Sequence, residues 1–480
     1  MSDTGVTIKK NIDFSEWYVE VILKAELADY APVKGCMIIR PDAYAVWEKI
    51  QEIVNQKIKA TGHRNTYFPM FIPEAFLKRE AEHFEGFTPE VAWITQGGNT
   101  ALEEKLAIRP TSETIMYSMF SKWIRSWRDL PLKINQWCNI VRWETKATKL
   151  FLRTREFLWQ EGHTAHTTAE ECEAEVMWAI NMYKDVIENT LAIPVLIGTK
   201  SESEKFAGAT YTTAVESIMP DGKALQMGTS HNLGQHFAKV FDVKYVGEDK
   251  SDHYVWQASW GITTRLIGAM IMIHGDDKGL IMPPKVAPTH IVIVPIPFKG
   301  QDAEAIAAKT KEIAETLKAK GLSVILDDRQ EYTPGWKFNQ WELKGIPIRI
   351  ELGPRDLKNG QVVMVRRDNG QKTFVKEADI LFTVEELLRD IQDSLLTKAR
   401  SILQEKTIDV KSYDEFKQVV EGKGGFIKAS WCGSPECEAK IKEETGATIR
   451  IIPFEKEEPQ TSCVYCAKTG RDTAYFARSY

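Results

Sequence analysis

The sequence predicts an α/β (α+β) chain: a large domain built on an antiparallel sheet, then a smaller α/β domain, then a short cysteine-bearing domain. Three observations carry this expectation. Residues 141–163 read as a strand, a polar loop and a second strand, with side chains alternating between faces along each arm. After Pro288, continuous apolar strands alternate with helices, the pattern of a partly parallel sheet. Near the carboxyl end, Cys432/Cys437 and Cys463/Cys466 stand as two pairs on either side of residues 438–462. The expected domains are 1–287, 288–403 and 404–480, in keeping with about 150 residues per domain for a 480-residue chain.

Composition is ordinary for a globular protein, with 43% hydrophobic and 27% charged residues. The formal net charge of -5 advertises no polyanion partner, so a nucleic acid would have to be met by local patches and shape. The stretch MSDTGVTIKKNIDF has no apolar leader core, and the longest apolar run, Leu266–Ile273, falls far short of the ~20 residues that cross a bilayer. A cytoplasmic chain without a membrane partner is therefore expected. In that compartment the seven cysteines are expected as thiols or metal ligands.

Taken in order, residues 13–30 read as an amphipathic helix. Pro41 opens a longer one, with Trp47, Ile50, Val54 and Ile58 at helical spacing and Gly62 as its stop, and Asn65-Thr-Tyr-Phe-Pro69 follows as a short strand. Arg109-Pro-Thr-Ser-Glu113 introduces a helix whose expected buried side is Ile115, Met116, Met119 and Trp123, since Thr and Ser cap well and Glu fits the first turn. On the second arm of the hairpin, Phe157, Trp159, Glu161 and His163 share one face, with Leu158, Gln160 and Gly162 on the other. Arg142 and Glu144 share a face of the first arm, and the loop between the arms carries Lys146, Lys149, Arg153 and Arg155. Rings interleaved with carboxylates, cations and an imidazole suit a pocket better than open water, the competing reading being a solvated, salt-bridged hairpin.

Residues 169–190 form an acidic helix with an apolar back and no assigned chemistry. Phe206-Ala-Gly-Ala-Thr-Tyr-Thr-Thr and Leu225-Gln-Met-Gly-Thr-Ser-His231 read as further strands of the antiparallel sheet; Gly208 and Gly228 mark either close approach of a ligand or backbone, or a bulge. Ser259-Trp-Gly-Ile-Thr-Thr-Arg265 runs into an apolar helix, where an arginine requires a buried anionic partner, from a ligand or from a structural salt bridge. In the second domain, strands at 289–295, 322–326 and 346–352, a helix at 302–320 with Asp302 as its cap, and a hairpin turning at Asp368-Asn-Gly370 are expected. Its loops carry Arg329, Lys337, Lys344, Arg349 and Arg355, which either meet RNA or are ordinary surface charge. Thr383-Val-Glu-Glu386 is a capping box for a helix reaching about Lys406. Cys432, Cys437, Cys463 and Cys466 suit a tetrahedral Zn2+ held by one pair from each side, free thiols being the alternative. His231 and His236, five apart, do not fit a helical metal pair.

Arg142-x-Glu144, a loop, and Arg153-x-x-x-Phe157 resemble motif 2 of the class II aminoacyl-tRNA synthetases, at about 141–163, with Val141 where that family has Phe. Residues 41–69 have the form of motif 1, and 259–274 resemble motif 3, with Ser259 in place of the first Gly. The resemblance spans the chain and is close to the prolyl-tRNA synthetases of the archaeal and eukaryotic type. It is carried by Arg109-Pro-Thr-Ser-Glu113, Trp159-Gln-Glu-Gly-His163, Gly228-Thr-Ser-His231, Lys337-Phe-Asn-Gln-Trp-Glu342 and a cysteine-bearing terminal domain ending in Tyr480.

That resemblance implies a ligase that activates L-proline with ATP and Mg2+ to prolyl-adenylate and transfers it to the 3′ end of tRNA(Pro), in a homodimer formed through motif 1. It implies proline contacts from Thr111, Glu113, Trp159, Glu161, His163, Phe206 and His231. It implies ATP contacts from Arg142, Glu144, Arg153, Phe157, Gln226, Thr229 and Arg265, with Arg142 and Arg265 catalytic through charge neutralisation. The segment from Glu144 to Ser259 is too short for the editing insertion of bacterial relatives, so misactivation of alanine and cysteine is expected. A threonyl enzyme would place a cysteine within Thr111–Glu113, and none stands there. A catalytically silent paralogue would be expected to lose the arginines. A zinc-dependent nucleic-acid binder would leave the hairpin unexplained.

Overall fold

The structure, a computed structural model, describes residues 5–81, 90–143, 147–296 and 302–480. The hairpin forms as its alternation requires: Leu132–Val141 pairs antiparallel with Glu156–His166, from Leu132↔Ala165 to Val141↔Glu156. The second arm then pairs with Trp256–Thr263, which pairs with Ala224–Gly234, and the sheet continues through Tyr211–Ile218 to Leu196–Thr199. Behind it lies Ala169–Leu191, which buries Val176, Ala179, Ile180, Tyr183 and Ile187. Pro41–Ala60 and Arg265–His274 complete this core with Trp47, Ile50, Val54, Ile58 and the run Leu266–Ile273. Such continuous apolar burial is the main force holding the sheet in place.

The terminal domain is joined to this sheet by backbone hydrogen bonds. Its strand Thr448–Pro453 pairs with Leu196–Thr199 (Ile452↔Thr199, Pro453↔Gly198), so catalytic and terminal strands form one eleven-stranded sheet. Gly198 is required there because a Cβ would overlap the Ile452 carbonyl. The middle domain has three parallel strands, Val324–Leu326, Ile291–Pro295 and Ile348–Leu352, followed by the antiparallel hairpin Gln361–Arg366/Lys372–Lys376. It docks on the catalytic domain through Arg367, whose guanidinium donates to both carboxylate oxygens of Asp276 at 2.9 and 2.6 Å.

Four local expectations are corrected. The first helix is only Phe14–Lys24; Glu26 turns the chain at φ +62°, and Ala28–Tyr30 pairs with Met37–Ile39. The helix Glu113–Trp123 buries Met116, Tyr117 and Phe120, whereas Trp123 is exposed, because the core lies one position round from the face the apolar spacing favoured. Phe206 precedes its strand, which begins at Tyr211, in a turn where Gly208 has φ +82°. Thr383 is inside a helix that already starts at Ile380 behind a 3-10 turn, so its capping box is not used. Asp302 opens the helix Asp302–Ala319, but the residues before it lie outside the described ones.

Gly162 and Trp260 are cross-strand partners, and a Cβ at 162 would overlap the buried indole of Trp260, which is wedged against Trp178 and Tyr183. Overpacking of a filled core costs about 1–3 kcal/mol. Gly162→Ala is therefore expected to lower the unfolding free energy by that much, read as a lower denaturant midpoint at an unchanged m-value in equilibrium unfolding.

Candidate active site

Because the pleat sends alternate residues to opposite faces, the face away from Ala169–Leu191 collects the polar set. It surrounds a cavity of about 500 Å³. Thr111, Glu113, Trp159, Glu161, His163, Phe206 and His231 line it, and so do Arg142, Arg153, Phe157, Gln226, Thr229 and Arg265. Glu144 lies outside the described residues. Gly228 also lines the cavity, but a Cβ there would press on Ile262 and Tyr183 at 3.0 and 3.1 Å, so close packing accounts for this glycine.

One end of the cavity is cationic. The Arg265 guanidinium donates to the carbonyl oxygens of Leu152 (3.1 Å) and Gln226 (3.0 Å). Burial, followed by the charge of nearby Arg142, brings its pKa down to about 10. Arg142 lies with its guanidinium 5.6 Å from the Phe157 ring centroid and 6.0 Å from that of Trp159, a cation–π arrangement that keeps it over the hairpin. Arg153 is exposed. Converging cations held by neutral acceptors make an anion site.

The other end is an enclosed polar network. Glu161 accepts from Ser112 Oγ (2.6 Å) and Gln136 Nε2 (2.9 Å), and its second oxygen is 3.0 Å from His163 Nε2. His163 Nδ1 in turn meets the Tyr117 hydroxyl at 3.0 Å. Burial alone would raise the Glu161 pKa, but the bond and charge of His163 hold it below the ordinary carboxylate value. Burial alone would lower that of His163, yet Glu161 holds it above the ordinary value, so the two form a buried ion pair. Thr111 Oγ1 donates to Glu113. His231, bonded to Thr212 and Thr229 hydroxyls, is pushed down to about 3 by burial and then by the His163 charge, and is a neutral ring beside Phe206.

Several supporting residues escaped the sequence reading. Ser112 serves Glu161 and caps no helix; Gln136 lies on the same strand face as Ile134 and Cys138, a polar break in an otherwise apolar stripe that could have been noticed. Arg109 is structural, donating to Asn139 O and Phe68 O at 2.8 Å each. Tyr480 reaches the cavity wall, its hydroxyl donating to Asp221 at 2.6 Å and its backbone N–H to Ala224 O.

Elsewhere, the four cysteine sulfurs 432, 437, 463 and 466 lie within 4.8 Å of one another, with Cys432 3.6 Å from Cys437 and 3.7 Å from Cys466. A tetrahedron of thiolates about 2.3 Å from Zn2+ has edges of about 3.8 Å, so the donor set fits that ion. The loop cations of the middle domain are mostly committed internally. Arg329 pairs with Asp327, Lys337 donates to Asp327 O, Lys344 pairs with Asp42 and Glu26, and Arg349 pairs with Glu351 and Glu342. Of those five only Arg355 is exposed. Four of the five are thus held by acceptors within the protein, Lys344 by carboxylates of the catalytic domain, which fits the reading of ordinary structural charge for those four.

Residues 95–274 match the family model of the tRNA synthetase class II core domain (G, H, P, S and T), and 290–388 an anticodon binding domain. The chain is thus a class II tRNA synthetase, a ligase class that uses ATP and Mg2+. Residues 413–480 match the prolyl-tRNA synthetase C-terminal domain. The chain is 56% identical to the proline–tRNA ligase of Natranaerobius thermophilus over 470 residues, 98% of its own length and 96% of the relative's. It is 52% identical to that of Cenarchaeum symbiosum, over 99% of both. It superimposes on the crystal structure of prolyl-tRNA synthetase from Cryptosporidium parvum complexed with halofuginone and AMPPNP with a TM-score of 0.96, at 46% identity and full coverage of both chains. The chain belongs to the prolyl-tRNA synthetases, with proline and tRNA as substrates. Among the described residues no helix is long and apolar enough to cross a membrane.

The Glu161–His163 pair stabilises the fold within a pH window. With Glu161 held low, its contribution is present above the ordinary carboxylate pKa and fades as pH falls through the depressed value. With His163 held high, its share is complete below the ordinary histidine pKa and is lost as pH rises through the raised value. Removing one partner of a buried pair costs roughly 3–5 kcal/mol. Glu161→Gln is therefore expected to lower Tm most between about pH 4.5 and 6.5, the gap to wild type narrowing on both sides in calorimetry.

Proposed function

We propose that the residues around the cavity divide the activation of proline between them, on the strength of one observation: two converging arginines and a closed acid–imidazole pocket share a single cavity. The proline ammonium would donate to the Glu113 carboxylate and the Thr111 hydroxyl. Its ring would lie between Trp159 and Phe206, with the neutral face of His231 beside it and Glu161–His163 closing the floor. Adenine would stack on Phe157, with Glu144 accepting from its amino group; Gln226 and Thr229 would contact the nucleotide. The Cryptosporidium parvum prolyl-tRNA synthetase is complexed with AMPPNP, which supports a nucleotide as one of the ligands.

The proline carboxylate attacks the α-phosphorus of MgATP: a carboxylate oxygen–phosphorus bond forms, the bond to the β-phosphate bridge breaks, and pyrophosphate leaves. Arg142 neutralises the α-phosphate, and Arg153 and Arg265 hold the departing phosphates. No protein nucleophile takes part, since position and charge neutralisation suffice. A terminal ribose hydroxyl of tRNA then attacks the adenylate carbonyl and AMP departs. With tRNA and ATP as substrates, the working compartment is the cytoplasm.

Two further parts belong to this reading. Cys432, Cys437, Cys463 and Cys466 would hold a structural Zn2+, which would supply cross-linking of the terminal domain and no step of the reaction. A homodimer formed through motif 1 would cover Tyr30 and Tyr67, which are 60% and 69% exposed beside the helix Pro41–Ala60. Between Thr167 and Val255 the chain supplies a helix, sheet strands and short connecting elements, which supports the reading that the segment from Glu144 to Ser259 carries no editing insertion.

ATP–pyrophosphate exchange over the twenty amino acids is expected to be fastest with proline; another amino acid in first place would overturn the assignment. Arg142→Glu is expected to cut exchange at least 10²-fold, the scale of losing one transition-state charge contact. Because each missing methylene is worth only about 1–3 kcal/mol, exchange with alanine and cysteine is expected at a measurable level, and its absence from pure enzyme would remove the misactivation claim. Native mass spectrometry is expected to find one Zn2+ per chain, lost in Cys463→Ser, and sedimentation a dimer.

A further inference from the structure

The segment 200–206 joins the strand Leu196–Thr199 to the strand Tyr211–Ile218 and carries Glu204, Lys205 and Phe206 along the cavity wall. Its downstream end is fixed by the catalytic domain, where Phe206 N–H donates to Thr212 Oγ1 at 2.9 Å and the ring sits 4.7 Å, centroid to centroid, from His231. Its upstream end is fixed by the terminal domain. Ser201 Oγ donates to Glu438 Oε1 at 2.6 Å, both residues being buried, and also meets Ser203 Oγ at 3.2 Å. Lys442 Nζ lies 3.3 Å from Glu204 Oε1. Glu438 and Lys442 are one turn apart on the helix Pro435–Thr445, so both contacts come from one rigid face.

These contacts have no part in the chemistry outlined above. Helix Pro435–Thr445 touches no reacting atom, yet it grips the segment whose last residue is a wall of the amino-acid pocket. A loop of this length would lose considerable freedom on closing round a substrate unless something ordered it beforehand. We propose that this helix is a latch that presets the Phe206 wall, so that the terminal domain determines how well the amino acid fits. Ser201, Glu438 and Lys442 are positioning residues. The inference rests on the reading that Phe206 lines the proline pocket.

Since Phe206 meets the ring and not the reacting carboxylate, loosening it removes binding common to ground and transition states. The loss falls on KM for proline, leaving kcat and KM for ATP in place. The test is ATP–pyrophosphate exchange by the full-length chain carrying Ser201→Ala, Glu438→Ala, Glu438→Gln or Lys442→Ala. Zinc content is measured for each, because Glu438 follows Cys437. Ser201→Ala and Glu438→Ala are expected to raise KM for proline about tenfold, the scale of a lost hydrogen bond to a buried carboxylate. Lys442→Ala, on an exposed pair, is expected to raise it about twofold. Glu438→Gln keeps an acceptor and is expected to restore most of the affinity. The double variant Ser201→Ala/Glu438→Ala is expected to be no worse than either single one. Lys440→Ala, which removes a pair with Glu443 on the same helix, is expected to change nothing.

An unchanged KM for proline in Ser201→Ala and Glu438→Ala overturns the latch, as does a parallel change in kcat and KM for ATP. If Glu438→Ala fails to fold, Ser201→Ala alone decides. Phe206→Ala separates the latch from the reading beneath it: no change in its KM for proline removes Phe206 from the pocket, while a rise there without one in the latch variants removes only the latch.

Discussion

The site depends on the pairing register of three strands. Trp159 faces Thr263, Glu161 faces Gly261 and His163 faces Ser259, while His231 lies on the far side of Ser259. On the opposite face Gly162 faces Trp260, which fills the core against Trp178 and Tyr183. A slip of one residue would drive Glu161 and His163 into the apolar layer and turn Trp260 into the cavity. The close fit of Trp260 over a residue without a Cβ therefore secures the pocket from behind: packing on one face fixes chemistry on the other.

The same sheet separates two electrostatic regimes. Arg265 is anchored by carbonyl oxygens of Leu152 and Gln226, and among the described residues it has no carboxylate within ion-pair distance. Its charge is positioned without being neutralised. Glu161 and His163 are instead matched to each other, so the pocket floor is polar and well ordered yet carries no net charge. On the function proposed above, a zwitterionic amino acid and a polyanion would meet surfaces of different character within one cavity, and the orientation of each would follow from where the charge is left over.

Much of this was legible from residues because strand alternation writes a two-sided surface directly into the sequence. Phe157, Trp159, Glu161 and His163 line the cavity from one face, as their spacing required, and the apolar helix after Arg265 is buried along Leu266–Ile273. What escaped was set by tertiary neighbours. The capping box at Thr383 is sound local chemistry overridden by a helix that gains more by starting at Ile380 and burying Val384, Ile391 and Leu395. Loop arginines and lysines look alike whether they face solvent or a carboxylate, and only the fold shows Arg329 locked on Asp327. Phe206 reaches the cavity from a turn ahead of its strand, and a phenylalanine in a turn has no periodicity to read.

The junction between sheet and terminal domain shows the same logic at larger scale. Lys200 and Arg450 converge on the Glu216 carboxylate at 2.6 and 2.7 Å, all three side chains being nearly solvent-free. Desolvating such a cluster offsets much of its attraction, and apolar side chains of similar size would hold the strands together about as well. Apolar side chains, however, would tolerate several pairings between Leu196–Thr199 and Thr448–Pro453. Arg450 reaches Glu216 only when Ile452 faces Thr199, so the charges select one alignment. Glu216 is itself the cross-strand partner of Gln226, whose carbonyl oxygen holds Arg265. The alignment of the terminal domain is therefore set two residues' reach from the cation at the centre of the site, and buried charge serves there as a register pin.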